Sequence, residues 1–225
     1  MAYTVGESAC IIDVKDPAKP LKLGDLPIEG TGHSIWVESN KAFVATSTGL
    51  EIIDLSNPSQ PKKIGHCGEG PARSIVCVDD IAYVANRMTG LEIIDISEPD
   101  MPVRLATLQE TQSAWNLHRY QDYLFLGRHQ NGVDIFDIKN RRNPVRIGNF
   151  CDDDGGEALS VWGDNKYIYV ADNFGVEVLD IAEPERPRQI SEIGNMGCTH
   201  DITADDRYIY VASAEYGLIL LEFHR

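Results

Sequence analysis

One heptapeptide, Gly90-Leu91-Glu92-Ile93-Ile94-Asp95-Ile96, constrains this chain more than any other feature, because it comes back. It recurs as Gly49 to Leu55, Gly132 to Ile138 and Gly175 to Ile181, and in looser form as Ser8 to Val14 and Gly217 to Phe223. The copies start at 8, 49, 90, 132, 175 and 217, a period of 41 to 43 residues. A period of that length marks an array of small units, none of which buries its apolar face alone.

The rest of the repeat is as regular. Two prolines follow the aspartate, as in Pro17 and Pro20, Pro58 and Pro61, Pro99 and Pro102, and Pro184 and Pro187, while the fourth full copy has Arg141 and then Pro144. Proline cannot donate to a ladder, so these positions are turn and edge. A short strand comes next: Leu21 to Gly24, Lys62 to Gly65, Val103 to Ala106, Val145 to Gly148 and Arg188 to Ser191. A small-residue loop then leads to a further strand, at His33 to Glu38, Arg73 to Val78, Trp115 to Arg119, Leu159 to Gly163 and His200 to Ala204. After a polar turn an aromatic strand follows, such as Ala42-Phe43-Val44-Ala45 or Ile168-Tyr169-Val170-Ala171. Each unit is thus four short strands rich in β-branched and aromatic residues, separated by Gly, Pro, Asn and Asp. No helical periodicity is present. Four strands in about 42 residues predict an all-β fold, a β-propeller of four-stranded blades.

The pattern G-L-x-I-I-D-I followed by x-x-P-x-x-P resembles the LVIVD-repeat β-propellers over nearly the whole chain. The resemblance implies the architecture and almost nothing about chemistry. It also implies a surface or secreted setting, common in that family.

Label the strands a (inner), b (aromatic), c (heptapeptide) and d (outer). The chain reads b-c-d, then a-b-c-d four times, then a-b-c, a single domain over 1–225 with repeats starting near 1, 30, 70, 112, 156 and 197. Two closures fit. Six blades leave the first without its inner strand and the last without its outer one. Five blades use Leu21 to Gly24 as the outer strand of the last blade and leave residues 1 to 16 over. The apolar Cys10-Ile11-Ile12-Asp13-Val14 favours six. A missing inner strand is also compatible with a natural chain that continues upstream. A ring closed within the chain predicts a monomer, and open strand edges predict a homo-oligomer.

Composition narrows the partners. A net charge of −15 repels phosphate backbones and argues against nucleic acid. No run of 18 apolar residues is present, so no membrane span is expected. The start, Met1-Ala2-Tyr3-Thr4-Val5, has no basic segment before an apolar core, which points to a cytoplasmic protein rather than one with a signal peptide. Five cysteines without a C-x-x-C pair do not suggest a disulfide framework or a zinc knuckle.

Propellers place sites where the d–a and b–c connections emerge, since loops vary while blades hold them rigid. Four of six histidines fall there. The first residue of strand a reads His33, Arg73, Trp115, Leu159 and His200. This column diverges in a repeat that is otherwise nearly copied, which suggests individual roles. His33 and His200, with Asp201, are the candidate acid–base residues. Arg73, Trp115, Arg128, His129, Asp172 and Asn173 are the candidate ligand-binding residues. Arg73, Arg87 and Arg128 suit a carboxylate or phosphate on a small ligand. His66 and Cys198 are weak metal candidates. Asp152-Asp153-Asp154 could take a hard cation but lacks the ligand spacing of a calcium loop. The repeated Asp13, Asp54, Asp95, Asp137 and Asp180 read as turn devices, and Phe43, Tyr83, Phe125, Tyr169 and Tyr210 as packing between blades. There is no G-x-S-x-G, S-x-x-K, H-E-x-x-H or phosphate loop, hence no expected cofactor. Two functions fit: a module that binds a protein or small ligand on its loop face, or a cofactor-independent isomerase, lyase or hydrolase with a His/Arg/Trp site there.

Overall fold

Strands form where the repeat places them, because β-branched and aromatic runs are cut at regular intervals by turn residues. The computed structural model describes residues 1–151, 156–205 and 207–222. Two compact units result, Met1–Gln112 and Ser113–Arg225.

The first unit holds three antiparallel sheets. Blade 1 is β1 (Ala2–Thr4), β2 (Ser8–Asp13) and β3 (Leu21–Pro27). Blade 2 is β4 (Gly32–Glu38), β5 (Lys41–Thr46), β6 (Gly49–Asp54) and β7 (Lys62–Cys67). Blade 3 is β8 (Ala72–Val78), β9 (Ile81–Asn86), β10 (Gly90–Asp95) and β11 (Val103–Leu108), followed by a single 3-10 turn at Gln109–Thr111.

The second unit repeats the scheme. Blade 4 is β12 (Asn116–Tyr120), β13 (Tyr123–Gly127), β14 (Val133–Asp137) and β15 (Val145–Phe150). Blade 5 is β16 (Ser160–Gly163), β17 (Tyr167–Ala171), β18 (Gly175–Asp180) and β19 (Arg188–Gly194). Blade 6 is β20 (Thr199–Ala204), β21 (Tyr208–Ser213) and β22 (Gly217–Glu222). Six blade sheets therefore form, four of four strands and two of three. The five-bladed alternative is corrected: β3 pairs with β2, Ile11 opposite Gly24, and so belongs to the first blade.

In β6 both faces of strand c are covered within the unit, Leu50 and Ile52 toward blade 3 and Ile53 toward blade 1, which is why its apolar pair is unbroken. Phe43, Leu50 and Ile52 of blade 2 pack with Ile75, Cys77 and Val84 of blade 3. Phe125, Val133 and Ile135 of blade 4 meet Val161, Ile168 and Val170 of blade 5 in the same way. Of the aromatic column, Phe43, Phe125 and Tyr169 lie in cores shared by adjacent blades and Tyr83 is fully buried, whereas Tyr210 is half-buried with its hydroxyl donating to Asp205 Oδ2 at 2.8 Å. Cys77 is buried in the first of these cores, whereas Cys10 is only half-buried.

The repeated aspartates are turn devices. Asp54, Asp95, Asp137 and Asp180 each accept the amide two residues on, at 2.8 to 3.0 Å, and Asp13 accepts that of Lys15 at 3.0 Å. The prolines have a partner in the glycine of strand d. A Cβ on Gly24 would meet the Pro58 carbonyl of the next blade, and one on Gly65 that of Pro99. Proline turn and outer glycine therefore co-occur because the blade backbones touch there.

Candidate functional site

The divergent column sits on β-bulges. Gly32 pairs with Thr46 and Ser34 with Ala45, leaving His33 as the extra residue. Arg73 is extra between the pairs Ala72–Asn86 and Ser74–Ala85, and His200 between Thr199–Ser213 and Asp201–Ala212. The Trp115 amide donates to the Gly127 carbonyl at 2.9 Å, although Gly127 is already opposite Asn116. Leu159 and Ser160 share Ala171 alike. A bulge takes its residue out of the in–out alternation and re-aims the side chain.

In the second unit the column meets the neighbouring loop. The Trp115 and His129 rings lie 5.2 Å apart and tilted by 50°. His129 Nε2 is 3.1 Å from Glu157 Oε2, both side chains about a quarter exposed. Gln130 Nε2 donates to Glu157 Oε1 at 3.2 Å. Asn173 Oδ1 accepts the Glu157 amide at 3.1 Å. His129 exchanges backbone hydrogen bonds with Ala158 and has φ 54°, a left-handed conformation uncommon outside glycine that such cross-links hold in place. Three of the expected ligand-binding residues, Trp115, His129 and Asn173, are thereby brought together through Glu157.

Beside Asn173 runs an open groove of about 550 Å³, lined by Asn173, Phe174, Glu192, Asn195 and Tyr216 among others. Phe174 is 52% and Tyr216 67% exposed. Both occupy the tip of a b–c turn, immediately before the glycine of the heptapeptide, where other blades carry Thr48, Thr89 and Asn131. Phe174 was not singled out by its residue type alone. The departure from small polar residues at that tip is the signal that finds it. A second cleft, next to Gly156 and Ala158, measures about 10 Å³, room for about one water.

The other candidates are held elsewhere. Asp172 caps its turn, Oδ1 accepting the Phe174 and Gly175 amides at 2.7 and 2.6 Å. Asn86 and Ser213 do the same at the equivalent position. Arg128 stands in this column too, but its Nη1 reaches Asp134 Oδ2 at 3.0 Å. Asp201 Oδ1 accepts the Ser160 hydroxyl at 2.8 Å and the Ile202 amide at 3.0 Å. His200 is exposed. The Cys198 amide donates to Glu215 Oε2 at 2.7 Å, and His66 is exposed on β7 opposite Glu51. No group of three metal-ligating side chains occurs among the described residues, and Asp152 to Asp154 lie outside them.

In the first unit His33 and Arg73 are half-buried and Arg87 is exposed. Burial, and then the Arg73 guanidinium, hold the His33 imidazole below its usual pKa. Burial, and then Arg87, lower that of Arg73.

Sequence reading passed over one column, the third residue of the heptapeptide. Glu51, Glu92, Asp134 and Glu177 are all buried. Glu51 Oε1 accepts the Glu29 amide at 2.8 Å and lies 3.3 Å from Lys63 Nζ. Glu92 Oε1 accepts the Thr89 hydroxyl at 2.8 Å and lies 3.4 Å from Arg104. Asp134 holds Arg128 and accepts Asn149 Nδ2 at 2.8 Å. Glu51, Glu92 and Asp134 thus each fasten a loop to the outer strand.

The LVIVD repeat matches residues 29–68, 69–106, 112–152 and 155–192, more than half the chain. No curated protein matches it. Among solved structures, the β-propeller domain of Myceliophteria thermophila Cps50 (Swd1) is similar at a TM-score of 0.80 and 11% identity, over 99% of this chain and 80% of that one. A functionally unknown protein from Desulfotomaculum acetoxidans DSM 771 gives 0.76 and 14%, over 100% of this chain and 79% of that one. The computationally designed Ika8 protein gives 0.73 and 9%, over 99% and 68%. At such identities the likeness shows the fold alone, a β-propeller.

Proposed function

The chain belongs to the LVIVD repeat family, and we propose that it is a non-catalytic binding module whose recognition face is the loop end of the second unit. The observation that carries this reading is the open groove of about 550 Å³, flanked by exposed Phe174 and Tyr216 and joined through Asn173 to the Trp115–His129–Glu157 cluster. Its volume is that of a ligand site. Exposed aromatics beside hydrogen-bonding groups are the usual anchors of recognition surfaces. The partner is a peptide or small molecule with an apolar group that fits between the two rings. The acid–base alternative built on His33, His200 and Asp201 gains no comparable support, since the Asp201 carboxylate is engaged by Ser160 and its own neighbour.

Peptides selected against the protein from a random display library test this. They are expected to lose about tenfold or more in affinity in Phe174→Ser and in Tyr216→Ser. They should keep it in Met88→Ser, which removes an exposed apolar tip of the first unit. Equal binding to all three variants sinks the proposal.

A further inference from the structure

Strand β19 breaks a pairing that three other outer strands keep. In blades 2, 3 and 4 the residue opposite the fifth position of the heptapeptide is a cation, Lys63, Arg104 or Arg146. It reaches the buried acid at the third position, Glu51, Glu92 or Asp134, at 3.3 to 3.4 Å. In blade 5 the matching residue is Gln189. Opposite the acid itself the same three strands carry His66, Thr107 and Asn149, whereas β19 sets Glu192 opposite Glu177. The outer strand of blade 5 thus has a neutral side chain where the others have a cation, and a carboxylate where they have none.

The exchange falls at the groove of about 550 Å³. Glu192 is exposed and lines it together with Phe174 and Tyr216. Glu215 brings a second carboxylate to its edge: Oε2 accepts the Cys198 amide at 2.7 Å and would meet a Cβ on Gly197, another lining residue. No Lys, Arg or His is among the described residues that line the groove. Carboxylates beside exposed aromatic rings attract a cation twice, by their charge and by the negative faces of the rings. An inorganic cation would use neither ring, and no group of three metal-ligating side chains occurs among the described residues. We propose that the group held between Phe174 and Tyr216 is an organic cation, an alkylammonium or guanidinium whose hydrocarbon part lies on the rings and whose charge faces Glu192, an assignment that rests on the binding role given to this groove above.

Two pairs of probes, matched in shape and differing in charge, test this by saturation-transfer NMR titration of the full chain. One pair is choline and 3,3-dimethyl-1-butanol, and the other is a capped glycine-arginine-glycine tripeptide and its citrulline counterpart. Each cation is expected to bind about fivefold more tightly than its neutral match. It should weaken about threefold in Glu192→Gln, where the neutral probes do not change. It should keep its affinity in Glu98→Gln, which removes an exposed turn carboxylate of the first unit and so controls for net charge. A charge preference in the choline pair assigns a free small cation, and one confined to the tripeptide pair assigns a peptide side chain. Equal binding within both pairs, or a preference that Glu192→Gln leaves intact, overturns the proposal. If the neutral probes bind as well as the cations and all weaken in Phe174→Ser and Tyr216→Ser, the groove stands as the recognition face and only its charge selectivity is refuted. If no probe binds, or none responds to the loss of either ring, the groove fails and the cation with it.

Discussion

At the scale of the residue, the buried acid of the heptapeptide does most to hold the loops. Asp134 is fully buried, and its carboxylate meets Arg128, 11% exposed, at 3.0 Å and Arg146, 47% exposed, at 3.4 Å. The inner arginine dominates, because the outer one is screened by solvent. Truncation leaves Arg128 in a buried setting without this carboxylate, a change that typically costs about 3 kcal/mol. Asp134→Ala is therefore expected to lower Tm by roughly 6 to 12 °C. Asp134→Asn keeps the shape and one acceptor for Asn149, and should lose less. Thermal denaturation of the two variants checks the order. An Asp134→Ala Tm within a degree of the parent would mean that the column is not holding its loops.

At the scale of the element, the same heptapeptide has two fates. In β10, Leu91 and Ile93 are fully buried, while the matching Leu218 and Leu220 of β22 are 66% and 51% exposed. Burial, not residue type, sets the worth of a side chain. Ile93→Ala should cost about 3 kcal/mol through the cavity it leaves, and Leu220→Ala less than about 0.5 kcal/mol. Denaturant midpoints for the pair decide it, and equal shifts would mean that β22 is covered in solution. The contrast also shows what the sequence makes legible. Strand order, the Asp turns and the aromatic packing follow from repetition, since every copy solves one packing problem. The bulges were visible only as a column that refuses to converge at His33, Arg73, Trp115, Leu159 and His200, because a bulge residue leaves the ladder and escapes its packing rules. The acid column was passed over because apolar neighbours hid Glu51, Glu92, Asp134 and Glu177. The groove was not legible, since Phe174 and Tyr216 meet only once the loops are folded.

At the scale of the whole molecule, stability must respond to pH through two opposed effects. Net charge of −15 means self-repulsion, which eases only when carboxylates protonate near their ordinary values of about 4. The histidines act earlier. His118 is half-buried against the Phe125 and Trp162 rings. Burial holds its pKa below the ordinary 6.5, although the Gly163 carbonyl bond pulls the other way. His33 is lowered as well, by burial and then by Arg73. A depressed folded pKa means that the unfolded chain binds protons first on acidification. The stabilisation is complete above the unfolded value of 6.5 and is lost as pH falls toward and through the lowered folded values. Unfolding free energy should therefore decline as pH falls below about 6.5, before the carboxylates begin to titrate. His118→Gln retains a donor for the Gly163 carbonyl and removes the titration, so its curve should be flatter across that window. A parent curve that is flat or rises on acidification would show that charge relief outweighs the half-buried imidazoles, and a variant with the parent's slope would show that His118 does not carry the decline.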